Sequence, residues 1–194
     1  MKFSSLMPAG ALVIAGVAAG CSGGYSGPSG PDSLRIAAAS VHLKGGANSQ
    51  PTFADNGLSL TTNGALSGLG NVDLLVTLNA TANVTANCTN HGGNLPPGQN
   101  PAPITVTGSQ SIPASEIKNG NVSFSVTTNG PTTPIPGAPD CPNPNWSENI
   151  TDLAFTSATI TVEQPAGTVV LTVACTFSAP TANGAVSKQS VVCS

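Results

Sequence analysis

The sequence predicts an all-β fold, an antiparallel β-sandwich of immunoglobulin-like architecture stapled by disulfides. Three observations carry that expectation. From Leu74 to Cys88 the even positions read Leu74, Val76, Leu78, Ala80, Ala82, Val84, Ala86 and Cys88, while the odd positions from Thr77 to Thr89 alternate Thr and Asn. Period two gives a strand with one apolar and one neutral polar face; a helix would scatter the same residues around its surface. Only 7% of residues are charged, and Thr, Ser and Asn carry the polar role beside Gly 22 and Pro 17, which favours strands and turns. Beyond Cys21 four cysteines remain, an even number suited to two disulfides.

Composition also excludes. With Lys+Arg 5 and a formal charge of −3, no basic patch exists to neutralise phosphates, so nucleic acid is not an expected partner. No apolar run reaches the roughly 18 residues a spanning helix needs. A length of 194 residues suits one domain with a real core.

Taken in order, Met1–Gly20 places Lys2 before LMPAGALVIAGVAAG, the pattern of a secretory signal. It ends in Ala18-Ala19-Gly20-Cys21, which resembles the bacterial lipobox, where the Cys becomes lipid-modified after cleavage; the lipobox prefers Leu where this chain has Ala18. SGGYSGPSGPDS follows as a flexible tether. The expected organisation is a signal peptide at 1–20, a tether at 21–33 and one β-domain at 34–194. Export to the cell envelope follows, with Cys21 as a lipid anchor and the only membrane contact; the alternative is a freely extracellular protein.

A first strand is expected near Ala39–Leu43 and a second over Thr52–Gly64, with Leu58 and Leu60 opposed to Ser59 and Thr61. GALSGLGN at 64–71 reads as a connection. The long strand follows; at about 3.3 Å per residue it would span about 50 Å, so a bulge is expected around Ala80–Ala82. HGGNLPPGQNPAP is a loop. Ile104–Gln110 and Asn121–Thr128 read as strands, the second with Val122, Phe124 and Val126 inward, and Pro113–Lys118 between them as one helical turn. Asn129–Trp146 is a long proline-rich connection. Leu153–Glu163 and Thr168–Phe177 flank the hairpin signal Gln164-Pro165-Ala166-Gly167, with Val169, Leu171, Val173, Cys175 and Phe177 as an apolar face. A short strand ending at Cys193 closes the chain.

Cys88, Cys141, Cys175 and Cys193 allow three connectivities. The reading favours Cys88–Cys141 with Cys175–Cys193, contributing about 4 and about 3 kcal/mol by loop-closure entropy. No C-x2-C pair suggests a metal site, and no His is placed to activate a thiol. CTNHGGNLPPGQNP at 88–101, followed by CPNPNW at 141–146, resembles a group of small secreted bacterial β-rich proteins of no established function. The resemblance covers roughly Leu58 to Phe177. It implies pairing of Cys88 with Cys141, leaves Cys175 and Cys193 for each other, and brings no catalytic residues; His91 stands where the group has Pro or Asn.

No G-x-S-x-G elbow, H-E-x-x-H helix, phosphate loop or dinucleotide fingerprint occurs, so the protein is expected not to be an enzyme and to need no cofactor. A hydrolase built from Asp140, Glu148 and Asp152 is the weak catalytic alternative. The same carboxylates with Asn143, Asn145 and Asn149 offer calcium ligands, but EF-hand spacing is absent and turn chemistry accounts for them, so no metal is predicted. Trp146, the only tryptophan, stands near Asn143, Asn145 and Glu148, a set that could stack on and read a carbohydrate; the plainer role for the indole is to cover the end of the core. The Thr/Asn face reads as the solvent side of a sheet, and its lack of charge suits contact with a surface protein or with itself. Ice-binding Thr faces belong to short coil repeats, and none is present. The expected function is a non-catalytic structural or interaction role at the cell surface, with carbohydrate binding at the Trp146 loop as the alternative.

Overall fold

The structure is a computed structural model that describes residues 41–46, 49–90, 92, 101–134, 141–142 and 145–194. The expected signal, the tether with Cys21, Ala39, His91, Asp140 and Asn143 lie outside the described residues.

Ten strands form among the described residues: β1 (His42–Leu43), β2 (Thr52–Asp55), β3 (Leu60–Ser67), β4 (Leu74–Thr89), β5 (Ile104–Ile112), β6 (Asn121–Thr127), β7 (Ser147–Glu163), β8 (Val169–Phe177), β9 (Gly184–Ala185) and β10 (Val191–Cys193). Among the described residues the only helical elements are 3-10 turns, one at Ala114–Glu116 within the expected Pro113–Lys118 turn. The strands make two antiparallel sheets. In the smaller one β1 and β2 pair with different stretches of β3, β6 pairs with β3 from Thr61 to Ser67, and β9 adds to β2. The larger runs β10-β8-β7-β4-β5.

Both sheets feed one buried cluster. The smaller contributes Phe53, Leu60, Leu66, Phe124 and Val126; the larger contributes the even residues of β4 from Leu74 to Ala86 with Leu153, Phe155, Ile160 and Val162. Phe53 meets Phe177 of the other sheet edge to face, ring centroids 5.3 Å apart, a geometry worth about 1 kcal/mol beyond its buried area. Backbone contact joins the sheets along β5 and β6. Asn129 N–H donates to the Thr107 carbonyl at 2.9 Å, and Ser125 N–H donates to Gln110 Oε1 at 2.9 Å. A Cβ on Gly108 would lie 2.0 Å from the Thr127 carbonyl oxygen, so only glycine permits this approach.

Several boundaries differ from the expectation. Thr52–Gly64 is not one strand but the hairpin β2–β3. Asp55 Oδ1 accepts from Gly57 N–H at 2.9 Å, Asn56 N–H donates to Ser59 O at 2.9 Å, and Gly57 takes φ +85°. An aspartate turn with a glycine at positive φ thus outweighs the local alternation. Residues 64–67, expected as a connection, extend β3, where the Phe124 ring covers the bare face of Gly64. Strand β7 starts six residues before the expected Leu153. Val169 is 56% exposed: a register shift between Val162 and Glu163 pairs it with Glu163, so it leaves the inward face of Val173, Cys175 and Phe177. The long strand is as expected, but its irregularities, at Thr81/Ala82 and Thr85/Ala86, insert the extra residues into β7, not β4.

Gly108→Ala should destabilise the fold by more than about 2 kcal/mol, because the obstacle is backbone and cannot rotate away. Urea unfolding of both proteins measures this, and a difference below about 0.5 kcal/mol would contradict the contact.

Candidate functional site

Two regions hold the residues singled out by sequence. The first is the outer face of the larger sheet. Register sets its side chains in three rows: Ser109–Thr77–Thr161–Thr172, Thr107–Asn79–Thr159–Ala174, and Thr105–Thr81–Ser157–Thr176. All are half-buried or exposed. Every position but Ala174 presents a hydroxyl or an amide, and none is charged or aromatic. Strand spacing sets the columns about 4.8 Å apart, and the pleat sets the rows about 6.7 Å apart. Two contacts couple the columns: Thr107 Oγ1 donates to Asn79 Oδ1 at 2.7 Å, and the Thr81 and Thr105 hydroxyls stand 3.4 Å apart. Charge first enters one row further along, at Glu163 opposite Leu75.

The sequence singles out the β4 column alone. Its neighbours came from strands whose own polar alternation, Thr105-x-Thr107-x-Ser109 and Ser157-x-Thr159-x-Thr161, was legible, but side-by-side placement depends on register that no single strand reveals.

The second region is the end of the β4–β7 ribbon. Cys88 pairs in register with Glu148 and is disulfide-bonded to Cys141 across 53 residues. At the sheet edge Cys175 is bonded to Cys193, its partner in register. Trp146 is half-buried and Asn145 exposed. Glu148 turns inward with Ile150 and is 0% exposed, so its carboxylate is not presented to solvent beside the indole. Neither carboxylate oxygen has a hydrogen-bond partner. Asp152 lies elsewhere, one oxygen within 3.9 Å of where a Gly57 Cβ would be. Asp55, also buried, is committed: Oδ1 accepts from Gly57 N–H and Oδ2 from the Thr181 hydroxyl. Among the described residues no three His, Cys, Asp or Glu side chains gather as a metal-binding group. A cleft of about 440 Å³ opens between β1 and strands β8 and β10, walled by Leu43, Leu171 and Val173 with His42 at its side.

Replacing Cys88 and Cys141 together by Ser should cost about 4 kcal/mol, and replacing Cys175 and Cys193 about 3 kcal/mol, if release of the unfolded chain dominates. Guanidinium unfolding of the two double variants gives the comparison; a smaller loss from the longer loop would mean that native packing outweighs loop entropy.

The chain matches no protein-family model, no curated protein and no solved structure.

Proposed function

We propose that this chain is an exported, non-catalytic surface protein that works through the uncharged outer face of its larger sheet and is tethered by lipid at Cys21. The observation that carries the reading is the three-row array of hydroxyl and amide groups without a charge. Charged side chains are a common device for keeping sheets from associating, and this face lacks it. Neutral contacts of this kind are weak singly and add up over an extended surface. They also leave association insensitive to salt, because there is no charge pair to screen. Two disulfides fit an oxidising, extracytoplasmic setting. We read the two sheets as the layers of an immunoglobulin-like sandwich, a reading supported by their shared core and the Phe53–Phe177 contact.

Thr105→Lys with Thr176→Lys tests this. Both positions are exposed and share one row, so folding should change by less than about 0.5 kcal/mol each. With both proteins made as chains beginning at Ser22, so that no lipid holds them, the one with the native face should sediment with envelope fractions of its host, or with itself, equally at low and high salt, and the variant should lose this by at least tenfold. Equal retention of both proteins would remove the face from the reading. Intact mass from the native host tests the tether: a chain beginning at acylated Cys21 supports it, and an unacylated mature chain rejects it.

A further inference from the structure

We propose that the cleft between β1 and β8 is a docking groove for the chain's own segment Arg35–Ser40, which adds as a strand to the uncovered edge of β8. Along β5 and β6 the two sheets meet backbone to backbone, through Asn129 N–H and the Thr107 carbonyl. The cleft of about 440 Å³ has Leu43 of the smaller sheet and Leu171 and Val173 of the larger as its apolar walls. The ladder of the larger sheet stops at the same place. β10 covers β8 from Phe177 to Cys175, and Ala174 exchanges both backbone bonds with Ser194 at 2.9 Å. Alternate residues of an antiparallel strand send their N–H and C=O groups to the same side, so Thr172 sends its pair toward the edge that Ala174 uses. Among the described residues no strand pairs with β8 there. From Leu171 to Val173 this edge carries neither charge nor proline, two of the usual guards against stray pairing. An apolar cleft beside an unguarded edge fits a strand that supplies both backbone groups and apolar side chains.

The occupant follows from where the described chain begins. Val41 is buried in the core, and the next two residues, His42 and Leu43, line the cleft. The residues just before Val41 are therefore delivered at the cleft's own wall. Six residues, Arg35-Ile36-Ala37-Ala38-Ala39-Ser40, reach about 20 Å when extended, enough to run the length of the uncovered edge. They contain no glycine or proline, unlike the Gly/Ser/Pro stretch at 22–33. Period two sets Ile36 and Ala38 on one face and Arg35, Ala37 and Ala39 on the other. The first face suits the walls of Leu43, Leu171 and Val173; the second keeps the arginine toward solvent. A second copy could offer the same chemistry, but the attached segment competes at the high effective concentration of a short connection. With this edge covered, association is confined to the flat uncharged face, although the docking itself does not depend on that face.

Amide hydrogen exchange at Thr172, followed by NMR in the full chain, tests the docking. The Thr172 N–H should exchange on the order of 100-fold more slowly than an unprotected amide. Ile36→Asp puts a charge into the apolar groove and should speed that exchange at least tenfold, while the amides of β4 keep their wild-type rates. If Ile36→Asp does not fold, wild type decides alone through contacts of the Ile36 methyls with Leu171 or Val173 in nuclear Overhauser spectra; their presence upholds the docking and their absence overturns it. An unprotected Thr172 amide in wild type, or equal protection in wild type and Ile36→Asp, overturns it as well. Protection that disappears on dilution would assign the edge to a second copy and overturn the intramolecular site.

Discussion

The pairing of β4 with β7 is the constraint on which the rest depends. These two strands, of 16 and 17 residues, lie at the centre of the larger sheet and pair from Leu75↔Glu163 to Thr89↔Ser147, with two register shifts on the way. That register places Val76, Leu78, Ala80 and Ala82 against Val162, Ile160, Ala158 and Phe155 on the core side. It simultaneously places Thr77, Asn79 and Thr81 beside Thr161, Thr159 and Ser157 on the other. A slip of one residue would exchange the two faces, burying a row of hydroxyls and exposing a row of aliphatics. Core and candidate surface are therefore specified by the same hydrogen-bond ladder.

The smaller sheet is held to this ladder at particular points rather than by long pairing. Gly108 lets the β5 backbone touch the end of β6. On the other side Thr181 bridges the sheets: its hydroxyl donates to Asp55 of β2 and accepts from Phe155 N–H of β7, while its own N–H donates to Phe155 O. Buried Asp55 thus turns the β2–β3 hairpin and fastens it to the larger sheet with one carboxylate. Such polar joints fix relative position, whereas the aliphatic core between them tolerates exchange of similar volumes.

Strands with uninterrupted alternation were legible in the sequence, and β4 was the clearest. Strand β7 was harder for a definite reason. Its inward residues are Glu148 and Ile150, then Leu153 and Phe155, then Ala158, Ile160 and Val162. Each register shift adds one residue and reverses the parity, so no single alternation runs through the strand. The first segment also places a glutamate inward, which reads as loop. Val169 was misplaced by the same mechanism, through one shift in β8. The candidate face was half legible: each polar column could be read, but not which columns stand side by side. The burial of Glu148 could not be read, because a charged residue beside Asn145 and Asn149 looks like solvent-facing turn chemistry until the strand's parity is known.

The far half of the ribbon is where the Cys88–Cys141 bridge is placed. β5 pairs with β4 no further than Ala82, and β8 pairs with β7 only from Ser157 onward. Beyond those points, among the described residues, Asn83–Thr89 and Ser147–Ala154 have only each other in the sheet, with outside support at Ile150 N–H from Thr133 and at Leu153 N–H from Gly57 O. A two-stranded ribbon is marginal by itself. The Cys88–Cys141 bridge fixes its tip covalently and closes a loop long enough for a large entropic effect. Glu148 sits in register with Cys88, its buried carboxyl without a hydrogen-bond partner, at the point where the sheet is least supported. The stability of this end is thereby separable from that of the rest of the sheet.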